Sequence, residues 1–446
     1  MAYDYDLVVI GAGSAGLAAA KQAAAYGAKV AIVEREQLGG VCINRGCVPK
    51  KLMVYAADFA QAFADAPHYG WSIESVQFNW QQFVENRNRE IDRIHQSQRQ
   101  ALTDAGIDLI MGQASFLEAH AVEIDSRKVT ADKFLIAVGG MPIKPKIPGI
   151  EQALTSREMF GLRSLPSRLG ILGGGYIGVE FGSTLRALGA TVTLMNQEDC
   201  ILTGFDQDLS QTVYQGLTQR GIRILCNTTA KEIRQSANGL QMVLEGDCSE
   251  TLEVDAILCA TGRTPNLEAL NLEQAGVELE GKAIAVDEYS RTSQANIYAA
   301  GDCTNRLPLT PAVRAEGRAF ADTVFGNQPY KLDYASVPSA VFARPEAATV
   351  GMTEAQARER YGAEAIDCDR IEFRSLYDRL SESPKPALFK RVFLRQSGEI
   401  LGIHLVGEQS AEIIQGMVLA LKQGISKQDI DHTLGIHPTS AEEFFE

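Results

Sequence analysis

Residues 6–16 read Asp-Leu-Val-Val-Ile-Gly-Ala-Gly-Ser-Ala-Gly, and residues 168–178 read Arg-Leu-Gly-Ile-Leu-Gly-Gly-Gly-Tyr-Ile-Gly. Each is an apolar run entering Gly-x-Gly-x-x-Gly. A helical pattern follows, to Gly27 in the first copy and to about Gly189 in the second. Second apolar runs come next, Lys29–Glu34 and Thr191–Met195. Strand, glycines, helix and strand in that order predict a dinucleotide-binding unit on a parallel sheet. Two copies predict an α/β chain with two Rossmann-like domains, one for a flavin dinucleotide (FAD) and one for a nicotinamide dinucleotide. Gly11 and Gly173 permit the tight turn, Gly13 and Gly175 let the backbone approach a pyrophosphate, and Gly16 and Gly178 allow close helix–strand packing. The amides at the helix starts, Ser14 and Ile177, face the phosphates.

The copies differ where the ribose is read. Glu34 lies 23 residues after Gly11 and would accept hydrogen bonds from ribose hydroxyls; the residue 23 after Gly173 is Asn196, followed by Gln197, Glu198 and Asp199. An acid at this strand end favours NAD and a nearby arginine favours NADP. Neither is present, and no Arg or Lys lies between Ala190 and Gln207. A 2′-phosphate would meet two carboxylates and no cation, so the physics favours NADH over NADPH. Three further apolar runs end in glycine: Leu135–Gly140, Ile257–Asn266 and Asn296–Cys303. There Gly139, Gly262 with Arg263, and Asp302 stand where a backbone or an acid can meet a cofactor, Asp302 at a ribitol hydroxyl, although by pattern alone Gly301-Asp302 reads more often as a turn.

Eight cysteines are spread over the chain, and two of them form a close pair in Gly39-Gly40-Val41-Cys42-Ile43-Asn44-Arg45-Gly46-Cys47-Val48-Pro49-Lys50-Lys51. The other six sit mostly in apolar runs and read as small core residues. Residues five apart in a regular helix rise about 7.5 Å, and a disulfide needs Cα atoms within about 6.8 Å. A Cys42–Cys47 bond therefore needs a helix distorted near Asn44–Gly46. Pro49 suits a helix's first turn, which puts Cys47 near the positive end, where thiolate is favoured. Lys50 and Lys51 are badly placed for that dipole and point to another role. No second pair stands at zinc-ligand spacing, so no metal is expected.

The net charge of −14 argues against a sequence-independent nucleic-acid binder. No apolar run reaches the length of a membrane span. A strand-like run starting at Asp6 leaves no room for a signal peptide. A cytoplasmic protein with a redox dithiol is the reading.

The chain resembles the flavin-dependent pyridine nucleotide–disulfide oxidoreductases nearly end to end, and within them the glutathione reductases of plant and cyanobacterial type. The resemblance rests on "GGVCINRGCVPKKLMVYA" (39–56), "GGGYIGVEF" (173–181), "LTPAVRAEGR" (309–318) and "GIHPTSAEEF" (435–444). It implies that Cys42 attacks the substrate disulfide and that Cys47 faces the flavin. It further implies that Lys50 pairs with Glu180 near the flavin and that Tyr176 covers the nicotinamide pocket. Asp302 and Thr310 would contact FAD, with Gly40 and Lys51 also at the cofactor. His437, oriented by Glu442, would serve as acid–base for the cysteines of the other subunit of a homodimer. Without the family, the same stretch reads as a turn into a helix with a Ser440–Glu443 capping box.

The resemblance also bears on substrate. Ala18, Lys21 and Arg318 occupy positions that face an anionic disulfide, glutathione disulfide, in relatives. Lys21 replaces an arginine, and Ser97 and Gln98 replace an apolar–Tyr pair of some relatives. NADPH-using relatives carry arginines at the positions of Gln197 and Thr203, and often alanine at those of Gly178 and Gly182; these departures again point to NADH. A lipoamide-dehydrogenase-like enzyme or a reductase of another small disulfide is the main rival. A mercuric reductase lacks its terminal cysteine pair here, and a flavin redox sensor without turnover would not need the Cys–Cys–His–Glu set.

The expected organisation is an FAD domain over 1–140 and 265–335, a nicotinamide domain over 141–264, and an α+β dimerisation domain over 336–446. In the last, Phe389–Arg395 and Ile400–Val406 flank Ser397-Gly398 as a hairpin. Ile413, Ile414, Met417, Val418 and Leu421 form one helical stripe, core or dimer contact by its period; the family resemblance implies a dimer interface.

Overall fold

The computed structural model describes residues 3–381 and 386–445; Glu446, where the sequence stops just after the His–Glu motif, lies outside them. The helices in chain order are α1 Ser14–Ala25, α2 Gly40–Arg45, α3 Cys47–Asp65, α4 Trp80–Asp104, α5 Ser156–Met159, α6 Tyr176–Ala187, α7 Gln207–Gln219, α8 Thr310–Val324, α9 Glu354–Tyr361, α10 Ser410–Lys422 and α11 Lys427–Asp431. Two compact units form, one of Met1–Lys50, Gln82–Ile143 and Arg263–Tyr334, the other of Lys51–Gln81, Lys144–Gly262 and Ala335–Glu446. No helix among the described residues is long and apolar enough to cross a membrane.

In the first unit, strand Tyr5–Ile10 pairs in parallel with Val30–Glu34 on one side and Arg127–Ile136 on the other. Asp108–Met111 extends one edge. Ile297–Ala299, more than 150 residues later in the chain, pairs in parallel with Arg127–Ile136. Alternation along the first strand divides the core. Leu7 and Val9 face α1 and α8 through Ala19, Ala20 and Phe320. Val8 and Ile10 face Phe116, Phe134 and Leu270. Burying each such aliphatic side chain contributes about 1.5–3 kcal/mol, which explains why this strand, the one the first glycine turn hangs from, lies at the centre.

The second unit repeats the plan: parallel strands in the order Arg223–Leu225, Thr191–Met195, Arg168–Leu172, Ala256–Cys259. It also contains a five-stranded antiparallel sheet, in which Ala387–Leu394 and Ile400–Val406 form the hairpin around Gly398, at φ 73°. The stripe on α10 packs on this sheet. Ile414 and Val418 are buried against Phe389, Ile403 and Leu405, and Ile413, Met417 and Leu421 pack on the same cluster. An antiparallel sheet needs its apolar face covered, and within the single chain this stripe covers it, with Ile413, Met417 and Leu421 left partly exposed.

Lys390 lies on the hairpin and is 1% exposed. Its Nζ donates to Asp206 at 2.8 Å and pairs with Asp208 at 2.5 Å and Glu354 at 2.8 Å. Asp206 caps α7, accepting from the Asp208 amide at 3.1 Å, and also accepts from the Glu354 amide at 3.1 Å. The neighbouring cations hold the Glu354 carboxyl down at about 2. Removing the ammonium strands a fully buried carboxylate, so Lys390→Met is expected to cost about 3–5 kcal/mol. Denaturant unfolding checks this; an unchanged midpoint would show that the network contributes nothing.

Candidate active site

The two glycine turns are built alike. Gly11 (φ 105°) and Gly173 (φ 109°) each lie so close to the next strand that a Cβ would stand 2.4 Å from a carbonyl, that of Ala137 or of Ala260. Cβ atoms at Gly16 and Gly178 would stand 2.0 and 2.1 Å from the Gly11 and Gly173 carbonyls. Each turn is latched by the side chain at the following strand end: the Ala12 amide donates to Glu34 Oε2 at 2.9 Å, and the Gly174 amide to Asn196 Oδ1 at 3.0 Å. Asn196 also donates to the Cys200 carbonyl at 2.7 Å. Asn196 thus does for the second turn what Glu34 does for the first, and leaves no carboxylate there for a ribose. Gln197, by contrast, is exposed.

The cradles have room for dinucleotides. A Cβ at Gly139, Gly175 or Gly262 would meet nothing within 4 Å, and one at Gly13 only the Gly40 Cα at 3.9 Å. Bare backbone at the starts of α1 and α6 with open space in front fits pyrophosphates. In the first unit, Arg263 bridges Asp302 at 3.1 Å and the Gly140 carbonyl at 2.8 Å, bracing the acid expected at the ribitol. Lys51 lies 3.9 Å from the centre of the Phe342 ring, a cation–π contact. Gly178 and Gly182 are not equivalent. A Gly178→Ala methyl collides with the Gly173 backbone, whereas one at Gly182 would be 3.3 Å from the movable tip of Ile171. Gly178→Ala is expected to cost about 1–3 kcal/mol and to raise KM for the nicotinamide nucleotide. Gly182→Ala should change stability by no more than about 1 kcal/mol, the helix propensity gained at a buried mid-helix glycine offsetting the tight contact with Ile171. Thermal unfolding and nucleotide titration of both variants check this.

The cysteine pair sits where a helix breaks. α2 ends at Arg45, Gly46 takes φ −154° and ψ −117°, and α3 begins at Cys47. Gly46 has no room for a side chain, since a Cβ would stand 2.9 Å from the Val41 carbonyl. The loop ahead is anchored on the first glycine turn: the Gly39 amide donates to the Ala12 carbonyl at 2.8 Å, and a Cβ at Gly40 would stand 2.8 Å from the Gly13 Cα. Both cysteines are thiols, Cys42 half-buried and Cys47 exposed.

The Cys42 thiol hydrogen-bonds Cys47 and also meets the hydroxyls of Thr310 and Ser14. Cys47 Sγ lies 3.4 Å from Thr310 Oγ1. The hydrogen bond from Cys42, then Thr310 and the Lys50 charge, push the Cys47 thiol down to about 6. The same pairing and burial push Cys42 up. One thiolate, shared with a proton-bearing neighbour, is the resting form of the reduced pair. Lys50 thus acts on the charge of Cys47.

Glu180, buried on α6, accepts from the Phe342 amide at 2.9 Å, and Tyr176, 42% exposed, opens that helix. His437 Nδ1 meets Glu442 Oε2 at 2.9 Å, with the imidazole 83% exposed. Glu442 Oε1 accepts from the Thr439 amide at 3.0 Å, and the Glu442 amide donates to Thr439 Oγ1 at 3.3 Å. The capping box is therefore Thr439–Glu442, one residue earlier than the Ser440–Glu443 expected. The shift frees the second oxygen of Glu442 for His437, and the Thr439 amide holds that carboxyl below its ordinary range. Ala18 lies within α1. Lys21, on the same helix, donates to Gln98 on α4 at 3.0 Å; Arg318 is exposed on α8. Arg314, one turn before Arg318, is exposed on the same helix, and nothing in the sequence spacing shows that α8 lies beside α1.

Two dinucleotide cradles and a dithiol with one stabilised thiolate define a two-cofactor thiol–disulfide oxidoreductase. The sequence profile described as pyridine nucleotide-disulphide oxidoreductase matches residues 5–317, and that of the dimerisation domain of these proteins matches 337–446. The chain belongs to the pyridine nucleotide-disulphide oxidoreductase family. It is 48% identical to a glutathione reductase of Nostoc sp., over 100% of this chain and 99% of the relative. It is 42% identical to a glutathione reductase of Burkholderia cepacia, over 99% of this chain and 98% of the relative. With the chloroplastic/mitochondrial glutathione reductase of Pisum sativum it shares 39%, over 99% of this chain and 82% of the relative.

Proposed function

We propose that the chain is a cytoplasmic glutathione-disulfide reductase that uses FAD and a reduced pyridine nucleotide, works as a homodimer, and prefers NADH. The observation that carries the reading is the Cys42–Cys47 pair at the start of α3, with its thiolate settled on Cys47. Bound FAD supplies the relay between a two-electron hydride donor and the dithiol. Ser14 and Thr310 hold the Cys42 sulfur in place. Cys42 passes its proton to the imidazole of His437 as the substrate arrives and attacks one sulfur of the disulfide; the S–S bond breaks, and one thiolate leaves and takes that proton. Cys47 then attacks Cys42, releasing the second thiol and closing the Cys42–Cys47 bond. Two electrons pass to two product thiols. His437, held at Nδ1 by Glu442, presents Nε2 to protonate the leaving thiolate.

A second copy supplies that histidine in this reading. Leu434 and Ile436, which precede His437, are 94% and 79% exposed. Apolar side chains so bare fit a segment that a partner covers. The NADH preference rests on Asn196 spent on the glycine turn, on exposed Gln197, and on the absence of any cation between Ala190 and Gln207.

Initial rates with glutathione disulfide, lipoamide and cystine, each with NADH and NADPH, test the proposal. Glutathione disulfide with NADH is expected to give the highest kcat/KM. Faster turnover of lipoamide would establish the rival reading, and a tenfold advantage for NADPH would overturn the nucleotide preference.

A further inference from the structure

Helices α1 and α8 both begin at the dithiol: Ser14 opens one and Thr310 opens the other, Thr310 Oγ1 lies 3.4 Å from Cys47 Sγ, and both hydroxyls favour the Cys42 thiolate. They run side by side. A Cβ at Gly317 would stand 2.3 Å from the Ala15 carbonyl, and further along Gln22 and Tyr26 both donate to Asp322, at 2.7 and 2.9 Å. Arg314 lies four residues past Thr310, a rise of about 6 Å. Lys21 lies seven past Ser14 and Arg318 eight past Thr310, rises of about 10–12 Å. Arg314 and Arg318, four apart, share one exposed face of α8. Partial burial, and after it the charge of Arg314, lower the Lys21 pKa.

None of the three cations pairs with a carboxylate among the described residues. In a chain of net charge −14, three unpaired cations set beside reactive sulfur mark a place for an anion from outside. The carboxylates of a peptidyl disulfide stand within two extended residues of the sulfur, about 7 Å, which brings them within side-chain reach of this row. Gln98 matters because its Oε1 takes one ammonium hydrogen of Lys21 at 3.0 Å and fixes the direction of that side chain without neutralising it.

We propose that Arg314 is a substrate-contacting cation that, with Lys21 aimed by Gln98 and with Arg318, forms a carboxylate-reading row beside the dithiol and sets selectivity for anionic disulfides. The proposal rests on the disulfide-reductase reading and adds Arg314 as a specificity residue and Gln98 as a positioning residue.

The test compares kcat/KM of the holoenzyme for dithiodipropionate (anionic), bis(2-hydroxyethyl) disulfide (neutral) and cystamine (cationic). Arg314→Gln is expected to lower the anionic-to-neutral ratio about three- to tenfold, Arg314→Glu to lower it further and raise the cationic ratio, and Arg314→Lys to restore most of it. Gln98→Leu should lower the ratio in the same sense, through KM rather than kcat. Raised salt should shrink all these differences. Ratios unchanged in Arg314→Gln and Arg314→Glu would overturn the proposal. Turnover of glutathione disulfide itself by the parent enzyme reads the underlying function separately, because these ratios need only some disulfide turnover.

Discussion

Replacing Cys42 by serine is expected to remove disulfide reduction, by at least about 10³-fold in kcat/KM, with flavin content retained. A hydroxyl at 42 can neither attack a disulfide at neutral pH nor close a bond with Cys47. Both routes to product are lost at once, so no partial activity should survive. The cofactor should stay, because Cys42 is held by side-chain hydroxyls while the loop before it is held by the Gly39–Ala12 backbone hydrogen bond. Cys47→Ser separates the roles. It keeps the attacking sulfur, loses the resolving one, and should stop after one equivalent of product with substrate half bound to Cys42. Full steady-state turnover by Cys42→Ser would reject the assignment.

The second large effect concerns His437. Its imidazole is bare in the single chain and, among the described residues, is tied only to Glu442, so His437→Ala should leave stability within about 0.5 kcal/mol. Loss of the proposed proton donor should lower kcat about 10²- to 10⁴-fold. Mixing decides whether the histidine serves its own chain or its partner's. In a hybrid of Cys42→Ser and His437→Ala chains, one of the two sites would receive an intact cysteine pair from one chain and an intact histidine from the other. Random reassociation of equal amounts should then recover about one quarter of parent activity. If each chain used its own histidine, the mixture would recover none.

The features legible in the sequence were those fixed by backbone sterics. Only glycine fits beside the Ala137 and Ala260 carbonyls, so both turns were visible as letters. The helix break at Gly46 followed from the need to bring two sulfurs together across it. Side chains whose roles depend on three-dimensional neighbours were harder to read. The capping box slipped by one residue because Ser440 and Thr439 are equally good caps by type, and only the hydrogen bonds choose between them. The α10 stripe has the same period whether it covers a sheet or a second copy. Lys390 stands in Ala387–Leu394, every residue of which but the last is buried, and nothing local announces its three carboxylate partners. Asn196 read as a missing acid, yet in the fold it latches the second glycine turn just as Glu34 latches the first.

The account stands on two electrons from a reduced nicotinamide nucleotide arriving at Cys42 and Cys47, and counting thiols measures that directly. The chain has eight cysteines. Enzyme purified in air, unfolded anaerobically and titrated for thiols, should show six, and the same enzyme first treated anaerobically with one equivalent of NADH or NADPH should show eight, with the two new thiols mapped to the peptide 39–51. An unchanged count, or new thiols at any other pair, would contradict it.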